Sequence, residues 1–401
     1  MQTLGILVLV AVTNEYLYAY EIIKGKEFEV FSASEPLNFL GLAEKYGYQS
    51  EEYEVTTEDG YILGLFRIPG KRGLPILLMH GFLESSDTWL VRGYTSLGVT
   101  LARQDYDVWF GNVRGNKYSR KHVKLNPDKD ASFWDFSFQE HGFYDLPAII
   151  DAILAQTGFQ KLNAFGYSQG NMIFYVLGST RREYNEKINV MTALAPVCFL
   201  NNIQPPLSLL AEFAPEINGY LEKVGMDELF GNSPSGKTLK GICSNPILGY
   251  ALCAMGFLFP SSGYDIEELS PSFFYDLLQY FPSATTRKNS YHLAQLALRG
   301  RFSKFDYGAE GNLVQYNTKL PPDYDLNRVT MPIVLLAGRN DKISVLVDVD
   351  TLKGQLPNVV NYTIVKRELM NHIDYVWGEN MKDYLFPYIF DILDKYNSMP
   401  Q

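Results

Sequence analysis

Two hydrophobic patterns alternate along most of the chain. Short, largely apolar stretches recur at Pro75–Met79, Tyr106–Phe110, Ile188–Leu194 and Pro332–Gly338, and another leads into Leu162–Met172; Pro75–Met79 is apolar throughout. Runs of this kind mark strands buried on both faces. Between them lie Leu97–Arg103, Tyr144–Gln156, Asn171–Leu177 and Tyr384–Tyr396, whose apolar spacing predicts helices. Glu35–Tyr48 reads as a short amphipathic helix, and Asn361–Lys366 as a further strand. Glu51–Val55 and Tyr61–Arg67 alternate apolar and polar positions about Thr57-Glu58-Asp59-Gly60, the pattern of a hairpin.

Strands that alternate with helices predict an α/β fold, with a mostly parallel central sheet and helices on both faces. The alternation stops from about Phe199 to Leu320, a stretch rich in Pro, Leu and Phe, with helical patches at Leu207–Phe213 and Phe273–Tyr280. It resumes at Pro332. The predicted organisation is a core over 20–198 and 321–401 with an inserted, mainly helical cap and lid over 199–320. Ahead of the core, Leu4–Val12 is an apolar run followed by a small residue, Ala19. It is too short to span a bilayer and predicts a secretory signal peptide over 1–19, although no Lys or Arg precedes it. Asn245–Pro260 is also very apolar, but interrupted and too short to span, so no transmembrane segment is expected.

Composition changes this picture only in part. The formal net charge is -10 and basic runs are absent, which argues against a nucleic-acid partner. The 28 Tyr and 25 Phe exceed ordinary core needs and suit an apolar substrate site. Cys243 and Cys253 are close enough in sequence to pair, whereas Cys198 lies in an apolar run and is expected to be buried. Asn361-Tyr362-Thr363 is a glycosylation sequon, compatible with export to the extracellular space or the lysosomal lumen. Oligomeric state has no signal in the sequence.

The chemistry centres on Gly166-Tyr167-Ser168-Gln169-Gly170, a G-x-S-x-G pentapeptide with a strand before it and a helix after it. That context puts Ser168 on a sharp bend at a helix N-terminus, where free N–H groups favour developing negative charge. A serine hydroxyl needs a base. Among the five histidines, His372 alone follows a late strand, in Asn371-His372-Ile373-Asp374. His80 follows an early strand, His122 and His141 lie before the elbow, and His292 lies in the cap. The base needs an acid that fixes its tautomer. Asp341 ends the preceding strand; Asp348 and Asp350 are rivals further on, in a predicted helix start, and Asp374 is expected to be solvated or to bond locally. Two N–H donors are needed for an oxyanion. Gln169 follows the nucleophile, and Leu83 is the choice in the loop His80-Gly81-Phe82-Leu83, with Phe82 as its rival. Such a site needs no metal or organic cofactor.

The chain resembles the acid lipases, the group of gastric and lysosomal acid lipase. The resemblance is carried by His80-Gly81-Phe82-Leu83-Glu84-Ser85-Ser86, Gly111-Asn112-Val113-Arg114-Gly115-Asn116, Tyr118-Ser119-Arg120-Lys121-His122, Phe133-Trp134-Asp135-Phe136-Ser137-Phe138, Tyr144-Asp145-Leu146-Pro147-Ala148, the elbow and Asn371-His372-Ile373-Asp374. It implies an α/β-hydrolase with Ser168, Asp341 and His372 as triad, and the Leu83 and Gln169 amides as oxyanion hole. It also implies a lipid ester substrate, triacylglycerol or cholesteryl ester, met at a lipid–water interface. The cap resembles the family least, so substrate preference transfers least. The competing readings are a silent lipid carrier on the same fold, a non-lipid carboxylesterase, and a hydrolase of another bond. Because all three triad residues are present, the silent carrier is disfavoured.

Overall fold

The computed structural model describes residues 36–245 and 248–397. The expected signal peptide and Ala19 lie outside them. The apolar runs assemble into one sheet. Its strands are β1 (Glu51–Thr56), β2 (Tyr61–Ile68), β3 (Arg72–Met79), β4 (Tyr106–Gly111), β5 (Lys121–His122), β6 (Leu162–Tyr167), β7 (Ile188–Leu194), β10 (Ile333–Ala337) and β11 (Val359–Ile364). The order across the sheet is β1-β2-β4-β3-β6-β7-β10-β11, with β5 on β2. β1, β2 and β4 pair antiparallel. From β4 onward every pairing is parallel.

Alternation within each run decides which face a residue serves. In β3, Ile76 and Leu78 join one apolar cluster, while Leu77 and Met79 join the other. Phe165 and Tyr167 of β6 likewise oppose Leu162 and Ala164, and Val334 and Leu336 of β10 oppose Leu335 and Ala337. Helices cover both clusters. On the first face lie α1 (Phe39–Lys45), α2 (Leu97–Arg103) and, at the far end of the chain, Phe386–Asn397. On the second lie α3 (Leu146–Thr157), α4 (Gln169–Thr180) and, later in the chain, Leu346–Gln355.

Between β7 and β10 the chain is mainly helical. It contains α5 (Leu207–Glu212), α6 (Ala214–Lys223), α7 (Pro234–Cys243), α8 (Pro271–Leu277), α9 (Arg287–Arg299) and α10 (Gly308–Tyr316). Two short strands, β8 (Glu228–Leu229) and β9 (Thr285–Thr286), pair antiparallel there. Cys243 and Cys253 form a disulfide, tying the end of α7 to the helical stretch Tyr250–Leu258. Cys198 is free and buried. The segment packs on the core through Tyr250, Phe259, Phe273 and Phe274 on one face, and Leu296 and Phe302 on the other.

One buried charge braces the core. Arg114, in the loop after β4, donates from Nε to Asp145 Oδ1 at 2.7 Å, at the start of α3. Its two terminal nitrogens reach Asp59, in the β1–β2 turn, at 2.6 and 2.8 Å. The guanidinium also lies 3.9 Å from the centroid of the Tyr61 ring. Removing one partner of such a pair leaves the other buried and uncompensated. Arg114→Leu is expected to lower stability by about 3–5 kcal/mol, and Arg114→Leu combined with Asp145→Leu by less. Urea titration of both variants checks this; equal losses would contradict it.

Candidate active site

The elbow works because two glycines admit close backbone contacts. Ser168 has φ 53, ψ -118, in the left-handed half of backbone space. Non-glycine residues there store strain that the surroundings must hold in place. A Cβ on Gly170 would lie 2.5 Å from Met79 O and 2.9 Å from His80 O. A Cβ on Gly166 would lie 2.7 Å from Asn171 Oδ1 and 2.8 Å from Gly170 O. The end of β3 is therefore pressed against the first turn of α4, and only glycine fits. The Ser168 N–H is held by Leu194 O at 3.1 Å, and Asn171 Nδ2 bonds Leu194 O and Ala195 O at 2.8 and 2.9 Å.

The three sequence-predicted polar residues come together at the carboxyl ends of β6, β10 and β11. His372 Nε2 lies 2.8 Å from Ser168 Oγ. His372 Nδ1 lies 2.9 Å from Asp341 Oδ2 and 3.0 Å from Oδ1. With the proton on Nδ1 donated to Asp341, Nε2 is free to accept the serine proton. Asp341 also accepts from the amides of Ile343 and Ser344 and from Ser344 Oγ, each at 2.8 Å. Burial pushes the Asp341 carboxyl up, but His372 and these hydrogen bonds outweigh it and hold the group below its ordinary range. It stays an anion and so fixes the ring.

The rival acids lie elsewhere. Asp348 binds the Asn202 amide and side chain at 3.1 and 2.7 Å, and Asp350 is exposed. Asp374 was expected to be solvated or to bond locally. It is local but not solvated: it is buried, and it accepts the Asn371 N–H at 3.0 Å. The small loop between them folds back on itself, with Asn371 Oδ1 accepting from Ile373 and Asp374, and so carries the carboxylate inward. His292 is buried against Ser137 Oγ and Ser303 O, both at 3.0 Å. His80 is locked between Gly81 O at 2.8 Å and Asn116 Nδ2 at 3.1 Å. Burial pushes its pKa down to about 4, so it is a neutral strut of the loop.

Leu83 has φ 63, and its carbonyl accepts the Ser283 N–H at 2.7 Å. Gln169 opens α4, and its side chain exchanges hydrogen bonds with Asn289 of α9 at 3.1 and 3.3 Å. Sequence reasoning missed several supports of the site. Ser344 had a local signal, a hydroxyl three residues after the carboxylate. Asn289, Ser283 and Ser262 come from far along the chain and have none. Ser262 O accepts both the His372 N–H at 3.0 Å and the Lys342 N–H at 3.3 Å. Asn371 Nδ2 donates to Gly263 O at 3.0 Å, and Asn340 Nδ2 to Tyr264 O at 2.9 Å. Residues 262–264 of the insertion, the end of a short helix and the two residues after it, thus lie between the loop of Asp341 and the loop of His372. The whole centre is covered, with Ser168 8% and His372 4% exposed.

A serine at a strand-to-helix elbow, a histidine after the last strand within hydrogen-bond distance of it and a mostly parallel sheet covered on both faces define the α/β-hydrolase class. The family model for the α/β-hydrolase fold matches residues 75–222, and that for a partial α/β-hydrolase lipase region matches residues 40–93. Lipase 1 of Drosophila melanogaster is 36% identical over 88% of this chain and 79% of its own. Human lipase member K is 33% identical over 90% and 91%, and gastric triacylglycerol lipase of Rattus norvegicus 36% over 85% and 88%. A thermophilic esterase structure from Thermogutta terrifontis shares the fold, with a TM-score of 0.51 at 15% identity over 87% of this chain and 100% of that one. The chain belongs to the α/β-hydrolase lipase family and is an ester-hydrolysing enzyme of the lipase type.

A methyl group at Gly170 would force the elbow away from β3. Because a displacement of about 1 Å costs roughly 100-fold in rate, Gly170→Ala is expected to lower kcat/KM by about that factor. Kinetics on a soluble ester check this, and wild-type kcat/KM in a folded variant would contradict it.

Proposed function

We propose that the protein hydrolyses carboxylic esters of neutral lipids, triacylglycerol or cholesteryl ester, by a Ser-His-Asp acyl-enzyme mechanism. The observation that carries this is the unbroken line from Ser168 Oγ through His372 to Asp341, at 2.8 and 2.9 Å. Ser168 attacks the ester carbonyl as His372 takes its proton. The Asp341 anion stabilises the imidazolium so formed. The tetrahedral oxyanion is received by the Leu83 and Gln169 amides, and its collapse expels the alcohol, protonated by His372. Water then repeats the sequence and releases the fatty acid. The left-handed turn at Leu83 favours it over Phe82, because such turns aim successive amides to one side.

Residues 199–320 act as a cap, with a lid in its first half. The apolar side chains of α5 and α6 support this. Leu209, Leu210, Phe213, Ile217, Tyr220 and Val224 are 43% to 66% exposed, and from Leu210 they recur every three or four positions. A contiguous apolar stripe of this kind suits a lipid surface. The site beneath is covered, so contact with lipid and admission of substrate are one event. The disulfide and the exposed Asn361 on β11 fit a protein exported to the extracellular space or the lysosomal lumen. No helix among the described residues is long and apolar enough to cross a membrane.

Ser168→Ala should abolish turnover of emulsified triacylglycerol and cholesteryl oleate while leaving the fold intact, and Asp341→Asn should cost roughly 10⁴-fold in kcat. Retained turnover in Ser168→Ala would sink the mechanism. Phe213→Glu with Ile217→Glu should lower hydrolysis of emulsified ester while sparing a dissolved short-chain ester. Equal loss on both substrates would count against an interfacial lid.

A further inference from the structure

The loop that carries the Leu83 amide also holds a buried carboxyl group that the mechanism above does not use. Glu84 is 5% exposed. Its Oε2 accepts the Gly81 N–H at 2.9 Å, closing the loop on itself. Thr88 hydrogen-bonds the same carboxyl group and accepts Trp377 Nε1–H at 2.9 Å. Leu277, Tyr280 and Phe281 of the insertion cover it. The void beside it is ≈ 10 Å³, the least that holds one water. The titratable groups that face it are Tyr167 of β6 and Tyr280 of the insertion, with His80 in its own loop. Asp87, on the following turn, is engaged with Lys117 and Tyr118. No cation pairs with Glu84 among the described residues.

A left-handed turn at a leucine costs about 1–2 kcal/mol and persists only when its neighbours over-determine it. Two bonds do so here. The Ser283 N–H holds Leu83 O from the insertion, and Glu84 holds Gly81 from within the core. We propose that Glu84 is a positioning residue for the oxyanion loop, keeping the Leu83 amide aimed at the reacting carbonyl by holding the Gly81 N–H. The inference rests on the reading of Leu83 as an oxyanion donor. A carboxylate at this place would repel the developing oxyanion, whereas a neutral acid holds the loop without that cost. Burial pushes the Glu84 carboxyl up to about 8, and the bonds from Gly81 and Thr88 offset only part of the rise. The acid is therefore neutral through the acidic and neutral range. It ionises, and the rate falls, as pH rises through about 8.

The test is the kcat and KM of p-nitrophenyl butyrate hydrolysis from pH 5 to 10 for wild type, Glu84→Gln and Glu84→Ala. Glu84→Ala should lose roughly 10- to 100-fold in kcat with KM within about twofold, since a misaimed oxyanion donor weakens the transition state and not the ground state. Glu84→Gln keeps the acceptor for Gly81 and never ionises. It should keep kcat within about threefold at pH 6 and lack the alkaline fall of wild type. A wild-type kcat in folded Glu84→Ala, a wild-type profile flat through pH 8, or an unchanged alkaline fall in Glu84→Gln would overturn the proposal. If Glu84→Ala does not fold, the Glu84→Gln profile decides. Replacing the Leu83 amide by an ester linkage separates the two readings. Unchanged kcat there removes Leu83 as a donor; lowered kcat there with both Glu84 variants at wild-type kcat removes Glu84 alone.

Discussion

Everything at the reacting centre depends on how closely the end of β3 approaches the first turn of α4. The carbonyls of Met79 and His80 lie where a side chain on Gly170 would begin. That contact holds Ser168 in its left-handed turn and sets the His80–Glu84 loop beside it. Ser168 and the His80–Glu84 loop are thus two parts of one packing constraint. The sheet supplies the rigidity behind it, because each central strand is clamped by apolar clusters on both faces. A backbone strained by one or two kcal/mol survives only on such a support.

Asp341 and His372 are held differently. Asp341 is fixed by bonds from its own turn, to Ile343 and Ser344, and stays ionised because those donors and His372 outweigh burial. The His372 backbone is fixed by the insertion, through Ser262. Core and insertion therefore meet at the His372 backbone. The insertion also reaches the Leu83 loop through Ser283 and the elbow through Asn289.

The parallel sheet was legible because its strands are nearly pure apolar runs, and β7 coincides with the run that predicted it. Short or edge elements shifted: β11 begins at Val359 and not Asn361, and α1 spans Phe39–Lys45 within the longer predicted helix. An edge strand has polar positions that blur its ends. Ser168, His372 and Asp341 were readable because each follows a strand in chain order. Asp374 bonds locally, as one of its two expected readings had it, but its burial had no signal in the sequence, because exposure at a helix start depends on what packs over it. Glu84, Ser283 and Ser262 matter only through three-dimensional juxtaposition, which no local pattern encodes.

The segment 262–264 has a consequence for how such enzymes diversify. On the proposed reading of residues 199–320 as a cap, recombining that insertion between relatives is a route to new specificity. Yet this short piece is part of the scaffold of the base, with Gly263 at φ 110 packed against Asn340 and Asn371. A chimaera whose crossover points fall at β7 and β10 would exchange that scaffold along with the specificity. One whose donor segments stop short of Ser262 and restart beyond Tyr264 would leave the base in place. The structural border of the insertion therefore does not coincide with its border along the chain.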